Sequence, residues 1–170
     1  MLSFPRHKSK LLFATLMILT LTFSCSEDIL LEQYVPQNQG EREIRSLLIR
    51  YQDAKNRFDL EQFIACLHDQ GLYSFRGGAM ISKEKLKELL PDFWAALKAG
   101  NSEIYPITHE CFTGDHFLSG QLMNPKIAIR GDTAKVTTMY TSGWWRQPHY
   151  ISLVRDNGRW LIKHLDWKEM

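Results

Sequence analysis

The chain has 170 residues, 44% of them hydrophobic, enough to bury one core but short for two domains. Its formal charge is +2, and setting aside Arg6, Lys8 and Lys10 leaves 18 of the 21 basic residues against 19 acidic ones. The remainder is near neutral and has no basic run, which argues against a nucleic-acid partner.

In chain order, the basic "MLSFPRHKSK" is followed by the apolar "LLFATLMILTLTF". That run is too short for a membrane-crossing helix, which needs about 20 residues. A basic segment, a short apolar segment and a small residue before a cut form a secretory signal. Here Ser24 precedes Cys25. The arrangement resembles the lipobox of bacterial lipoproteins, with Thr22 where a leucine is usual. The resemblance implies a signal peptide over residues 1–24 and lipidation of Cys25. Ser26 follows the cysteine, which by the same resemblance implies the outer membrane of the cell envelope rather than the inner one. The acidic Glu27 and Asp28 resemble signals for surface exposure. Residues 25–40, with Pro36 and Gly40, read as a tether.

The domain is expected over residues 41–170. In "EREIRSLLIRYQDAKNRF", Ile44, Leu47, Leu48, Tyr51 and Phe58 share one helix face. Asp59 is a helix N-cap with Gln62 in capping-box position. Gly71 closes this region, and "LYSFR" reads as a short strand. Ser82 caps a third helix with an apolar stripe from Leu86 to Leu97, and Pro91 should kink or restart it. After Gly100, "EIYPITHECF", "PKIAIR", "TAKVTTMYTSGWW", "HYISLVR" and "RWLIKHLDW" are rich in β-branched and aromatic residues. "RGDTA" and "RDNGR" are hairpin turns. "TGDHFLSGQLMN" reads as a long loop. Cys66 and Cys111 each sit in an apolar pattern and read as buried free thiols. Helices first and antiparallel strands after indicate an α+β domain.

"RYQDAKNRFDLEQF", "GDTAKV" and "DNGRWLI", in this order and spacing, resemble the SnoaL-like branch of the nuclear transport factor 2-like superfamily. The resemblance implies a cone: a curved antiparallel sheet wrapped around a cavity and closed by three N-terminal helices. Its dehydratase-like members carry a tyrosine, an aspartate and a histidine, of which the histidine and aspartate act in proton transfer. Tyr51 matches the tyrosine and His109 the histidine, but Asn56 stands at the aspartate's place. An amide cannot ionise, so the acid–base pair is incomplete.

Period-two alternation puts Tyr105, Ile107, His109 and Cys111 on one strand face. It puts Trp160, Ile162, His164 and Asp166 on one face of the last strand. Of these, Tyr105, Ile107, His109, Trp160, Ile162 and His164, with Tyr51 and Asn56, would line a pocket for a small apolar or aromatic molecule. Adjacent Trp144 and Trp145 point to opposite sheet faces, and the outward one suits a homodimer contact. His109, Cys111 and His116 match no standard zinc spacing, so neither metal nor cofactor is expected. The expected protein is a lipid-anchored, non-catalytic binder or assembly domain. The alternative is a lyase or isomerase using His109 as acid or base.

Overall fold

The computed structural model describes residues 28–75, 79–99, 120–142 and 145–166. Cys25, Trp144 and the segment that carries Tyr105, Ile107, His109, Cys111 and His116 lie outside the described residues. Three helices, α1 (Gln39–Arg57), α2 (Leu60–Ala65) and α3 (Lys83–Lys98), pack on strands β1 (Leu67–Phe75), β2 (Ala79–Ser82), β3 (Gln121–Arg130), β4 (Thr133–Ser142), β5 (Trp145–Asp156) and β6 (Arg159–Asp166). The strands form one curved, unclosed sheet in the order β2-β1-β6-β5-β4-β3. All neighbours are antiparallel except β1 and β6. The α+β architecture is therefore as expected. None of the described helices is long and apolar enough to cross a membrane.

Helix α1 begins two residues before the expected Glu41. Asn38 is its N-cap and accepts from the Glu41 amide at 2.9 Å. The Glu41 carboxylate in turn accepts from the Tyr34 hydroxyl and the Gln37 amide. These donors hold its pKa below the usual range, while burial beside that carboxylate raises the Tyr34 phenol to about 12. Asp59 and Ser82 cap α2 and α3 as their positions predict. Helix α3 runs through Pro91 without a break. Pro91 and Lys87, whose carbonyl a proline cannot serve, are both exposed, so water can take the missing donor's place.

The tether expectation is corrected over its described part. Asp28–Leu30 lies along the edge of β3. The Asn124 amide donates to the Ile29 carbonyl at 2.7 Å, and the Ile29 amide donates back to Asn124 Oδ1. Leu30 bridges to Met123. Leu31 is completely buried in the core. The apolar patch Ile29–Leu31, read as a minor feature of a linker, is an edge cover that anchors through one leucine. It occupies edge hydrogen-bonding groups that would otherwise invite another strand. For the same reason β3 starts at Gln121, inside the expected long loop. Asn124 takes a left-handed conformation (φ 51°) at a bulge between Met123 and Lys126, and the Thr138 hydroxyl bonds to the Met123 carbonyl there.

Gly71 does not end an element, as expected from the sequence; it lies within β1. A Cβ there would come within 1.9 Å of the Tyr73 hydroxyl and 2.7 Å of the Lys163 carbonyl. The Tyr73 hydroxyl sits within hydrogen-bond reach of the His68 and Ile162 carbonyls, plugging the irregularity in the β1–β6 pairing. The β5–β6 turn uses left-handed Asn157 and Gly158 as predicted. Cys66 is a free, buried thiol that donates to the Gln62 carbonyl, and burial raises its pKa.

Candidate functional site

Three elements change character along their length, and they do so together. The inward positions of β4 run Ala134, Val136, Thr138, Tyr140, Ser142; their partners on β5 run Leu153, Ile151, His149, Gln147. The inner face of α1 runs Ile44, Leu47, Leu48, Tyr51 and then Gln52, Lys55 and Asn56. Each passes from apolar to polar, and the polar ends meet.

At that meeting point the Lys55 ammonium stands 3.5 Å from the centre of the Tyr140 ring. The His149 ring lies parallel to Tyr140 within 6°, with centroids 5.0 Å apart. His149 is 7% exposed, and its Nδ1 is buried without a hydrogen-bond partner. Burial, reinforced by the Lys55 charge, lowers the His149 pKa to about 3, so the ring is neutral at ordinary pH. Burial alone lowers Lys55 to about 7. Among the described residues no carboxylate pairs with it. Gly120 closes one side: a Cβ there would fall 1.7 Å from the Tyr140 hydroxyl. Asn56 fixes that glycine by both ends, donating to its carbonyl and accepting from its amide, each at 2.9 Å. Gln52 accepts from the Leu122 amide and donates to Glu32.

The expected pocket residues are divided by the fold. Tyr51 lies at the junction, 3% exposed, with its ring 5.2 Å from Phe63. Burial and the neighbouring Tyr140 push its phenol far above the usual range. Asn56 is at the polar end, but its amide is committed to Gly120 rather than to an imidazole. Trp160 and Ile162 belong to the packed apolar end, where Ile162 is fully buried and the Arg155 guanidinium covers the Trp160 ring. The Trp160 indole nitrogen is also without a partner.

His164 is a correction. Alternation carried it onto the face of Trp160 and Ile162. A bulge intervenes: Leu153 pairs with Ile162, but Ser152 pairs with His164 and Ile151 with Leu165. Directly paired residues share a face, so the extra residue, Lys163, turns Leu165 inward beside Ile162. His164 goes to the outer face with Ser152 and the exposed Leu72.

Lys55 and His149 were missed as site residues. The signal was present for both. Lys55 is four residues from Tyr51 and seven from Leu48, on the apolar stripe itself. His149 has the parity of Ile151 and Leu153.

An open groove of about 570 Å³ lies elsewhere, against the outer side of α1 and the β5–β6 turn. Arg42, Arg50 and Arg159 rim it over Leu47, Cys66 and Trp160. Arg42 already bonds Gln39, and the one acidic lining residue, Glu43, pairs with Arg155. It holds none of the convergent polar groups of the Lys55 cluster. Among the described residues no group of His, Cys, Asp and Glu could hold a metal ion.

No family model matches the sequence, and no curated protein matches it. Solved structures do match. An NTF2-like protein with a cystatin-like fold from Novosphingobium aromaticivorans is similar over 95% of this chain and 89% of its own, at 16% identity and a TM-score of 0.55. The chain has the NTF2-like fold. An NTF2-like protein of unknown function from Pseudomonas putida KT2440 shares 18% identity over 77% of this chain and 87% of its own, with a TM-score of 0.55. A putative calcium/calmodulin dependent protein kinase II association domain from Xanthomonas campestris shares 12% identity over 81% and 92%, with a TM-score of 0.54. On this NTF2-like frame the polar cluster occupies one end of the sheet's inner face, between β4, β5 and α1.

Proposed function

We propose that this is a lipid-anchored envelope protein whose NTF2-like domain binds a small molecule at the polar end of its sheet, without catalysis. The observation that carries the reading is the buried His149 Nδ1 atom, which has no hydrogen-bond partner, beside a half-buried Lys55 ammonium with no carboxylate partner among the described residues. Buried polar groups are nearly always hydrogen-bonded, and exceptions mark sites where something else completes them. The Tyr140 and His149 rings supply flat apolar surface for an aromatic or aliphatic body. The reading is non-catalytic because the amide of Asn56, at the place of the dehydratase-like aspartate, is spent on Gly120. The anchor rests on the N-terminal pattern and Cys25.

A thermal-shift screen with apolar and aromatic compounds tests the binding. Stabilising hits are expected to be lost when His149→Phe fills the site with a ring that cannot bond. A screen without hits, or hits unaffected by that variant, overturns it. Cys25→Ala should release the chain from membranes and abolish lipid labelling. Unchanged partition in that variant overturns the anchor.

A further inference from the structure

The ammonium of Lys55 is the least compensated charge among the described residues of this fold. Other partly buried cations have carboxylates: Lys83 pairs with Asp69 and Arg155 with Glu43. The half-buried Lys55 has, among the described residues, the face of Tyr140 instead. A cation over an aromatic face gains about 0.5–2 kcal/mol, which compensates a partly desolvated ammonium only in part. The titratable side chains facing it among the described residues are Tyr140 and His149, with Tyr51 behind them; none of them supplies a negative charge at neutral pH. The orphan nitrogen of His149 sits in the same cluster.

We infer that the molecule bound at this end is an organic monocarboxylic acid, its carboxylate set against Lys55 and its apolar body against the Tyr140 and His149 rings. The inference rests on the reading of this end as a ligand site. A neutral aromatic would cover the rings and leave the ammonium unpaired, so it would forgo a charge-assisted hydrogen bond. A doubly charged group such as a phosphate monoester would bring two charges to one cation and bury the surplus. The single charge thus selects a single acid. Because burial holds Lys55 near half-protonation around pH 7, and a carboxylate would restore its proton, acid binding should take up protons.

The test uses the full chain in detergent and a panel of matched acids and primary amides, with 2-naphthoate and 2-naphthamide as the first pair. Calorimetric titration at pH 7.5 should show the acid of the best pair binding at least tenfold tighter than its amide, with proton uptake revealed by buffers of different ionisation enthalpy. Lys55→Met should erase the preference of acid over amide. Lys55→Arg should restore it, which separates loss of charge from loss of fold. Equal binding of acid and amide, or a preference that survives Lys55→Met, overturns the acid inference and leaves the binding site standing. No binding by either member of any pair overturns both.

Discussion

The two ends of the same three elements are built on opposite terms. At one end Ala134, Val136, Ile151, Leu153 and Ile162 meet Ile44, Leu47 and Leu48, none more than 4% exposed. Each of these aliphatic side chains gains from leaving water and asks for no partner, and an unpaired polar atom at this end is the Trp160 indole nitrogen. At the other end the His149 ring is buried with its Nδ1 atom unpartnered, and the half-buried Lys55 has no carboxylate beside it among the described residues. The hydrophobic end provides the stability that lets the polar end stay unsatisfied. Local strain or desolvation survives only where the surroundings over-determine the fold. The comparison teaches that a candidate binding site is marked by incomplete polar bonding rather than by a surface groove alone.

The sharpest way to break the comparison is to weaken the apolar end. Ile151→Ala should cost about 2–5 kcal/mol, the range for truncating a buried aliphatic residue. Chemical denaturation followed by circular dichroism measures it. A cost under about 1 kcal/mol would mean that the apolar end does not carry the fold.

At the polar end the effects should appear as pH dependence. His149 has a folded pKa of about 3 against an ordinary value of 6.5. The unfolded chain therefore binds a proton that the folded chain refuses between those values, and stability falls as pH drops from 6.5 towards 3. His149→Phe should flatten this loss by up to a few kcal/mol at pH 4. Glu41 and Asp69, whose carboxyl pKa values are lowered by their partners, give acid losses in both proteins, so the difference isolates the histidine. Identical acid limbs would place His149 in water rather than in the cluster.

The last effect belongs to Lys55. Its folded pKa of about 7 lies below the ordinary 10.5, so the unfolded chain again holds the extra proton, now between those values. Stability should rise from pH 7 towards 10, with the penalty complete below 7. Lys55→Met should remove that rise and add about 1–4 kcal/mol at pH 6, since a well-packed apolar side chain replaces a cation without a carboxylate partner. Thermal melts at pH 6 and pH 9 measure both. A variant less stable at pH 6 would show that Lys55 already has a partner.

Much of the fold was legible in the chain because its signals are local. The Asp59 and Ser82 caps, the Asn157-Gly158 turn and the stripe of α1 each depend on residues a few positions apart. So does the order of helices before strands. The site was legible only in part. Tyr51 and Asn56 were found on α1, and Asn56 was found as the missing charge. The commitment of its amide to Gly120 was not legible, because that bond joins residues 64 positions apart.

What the sequence determined by itself is therefore the set of elements, their inward faces and the gradient from apolar to polar along each. What only the tertiary structure decided is where those gradients meet. Alternation gives one face per strand, but one extra residue at Lys163 reverses it for His164, and no local rule announces a bulge. Likewise Leu31 sits in a segment polar enough to read as a tether. It becomes core because Asn124, nearly a hundred residues later, offers Ile29 the hydrogen bonds that hold the chain there. Bulges and edge pairings are set by the partner strand, and the partner exists only once the chain has folded.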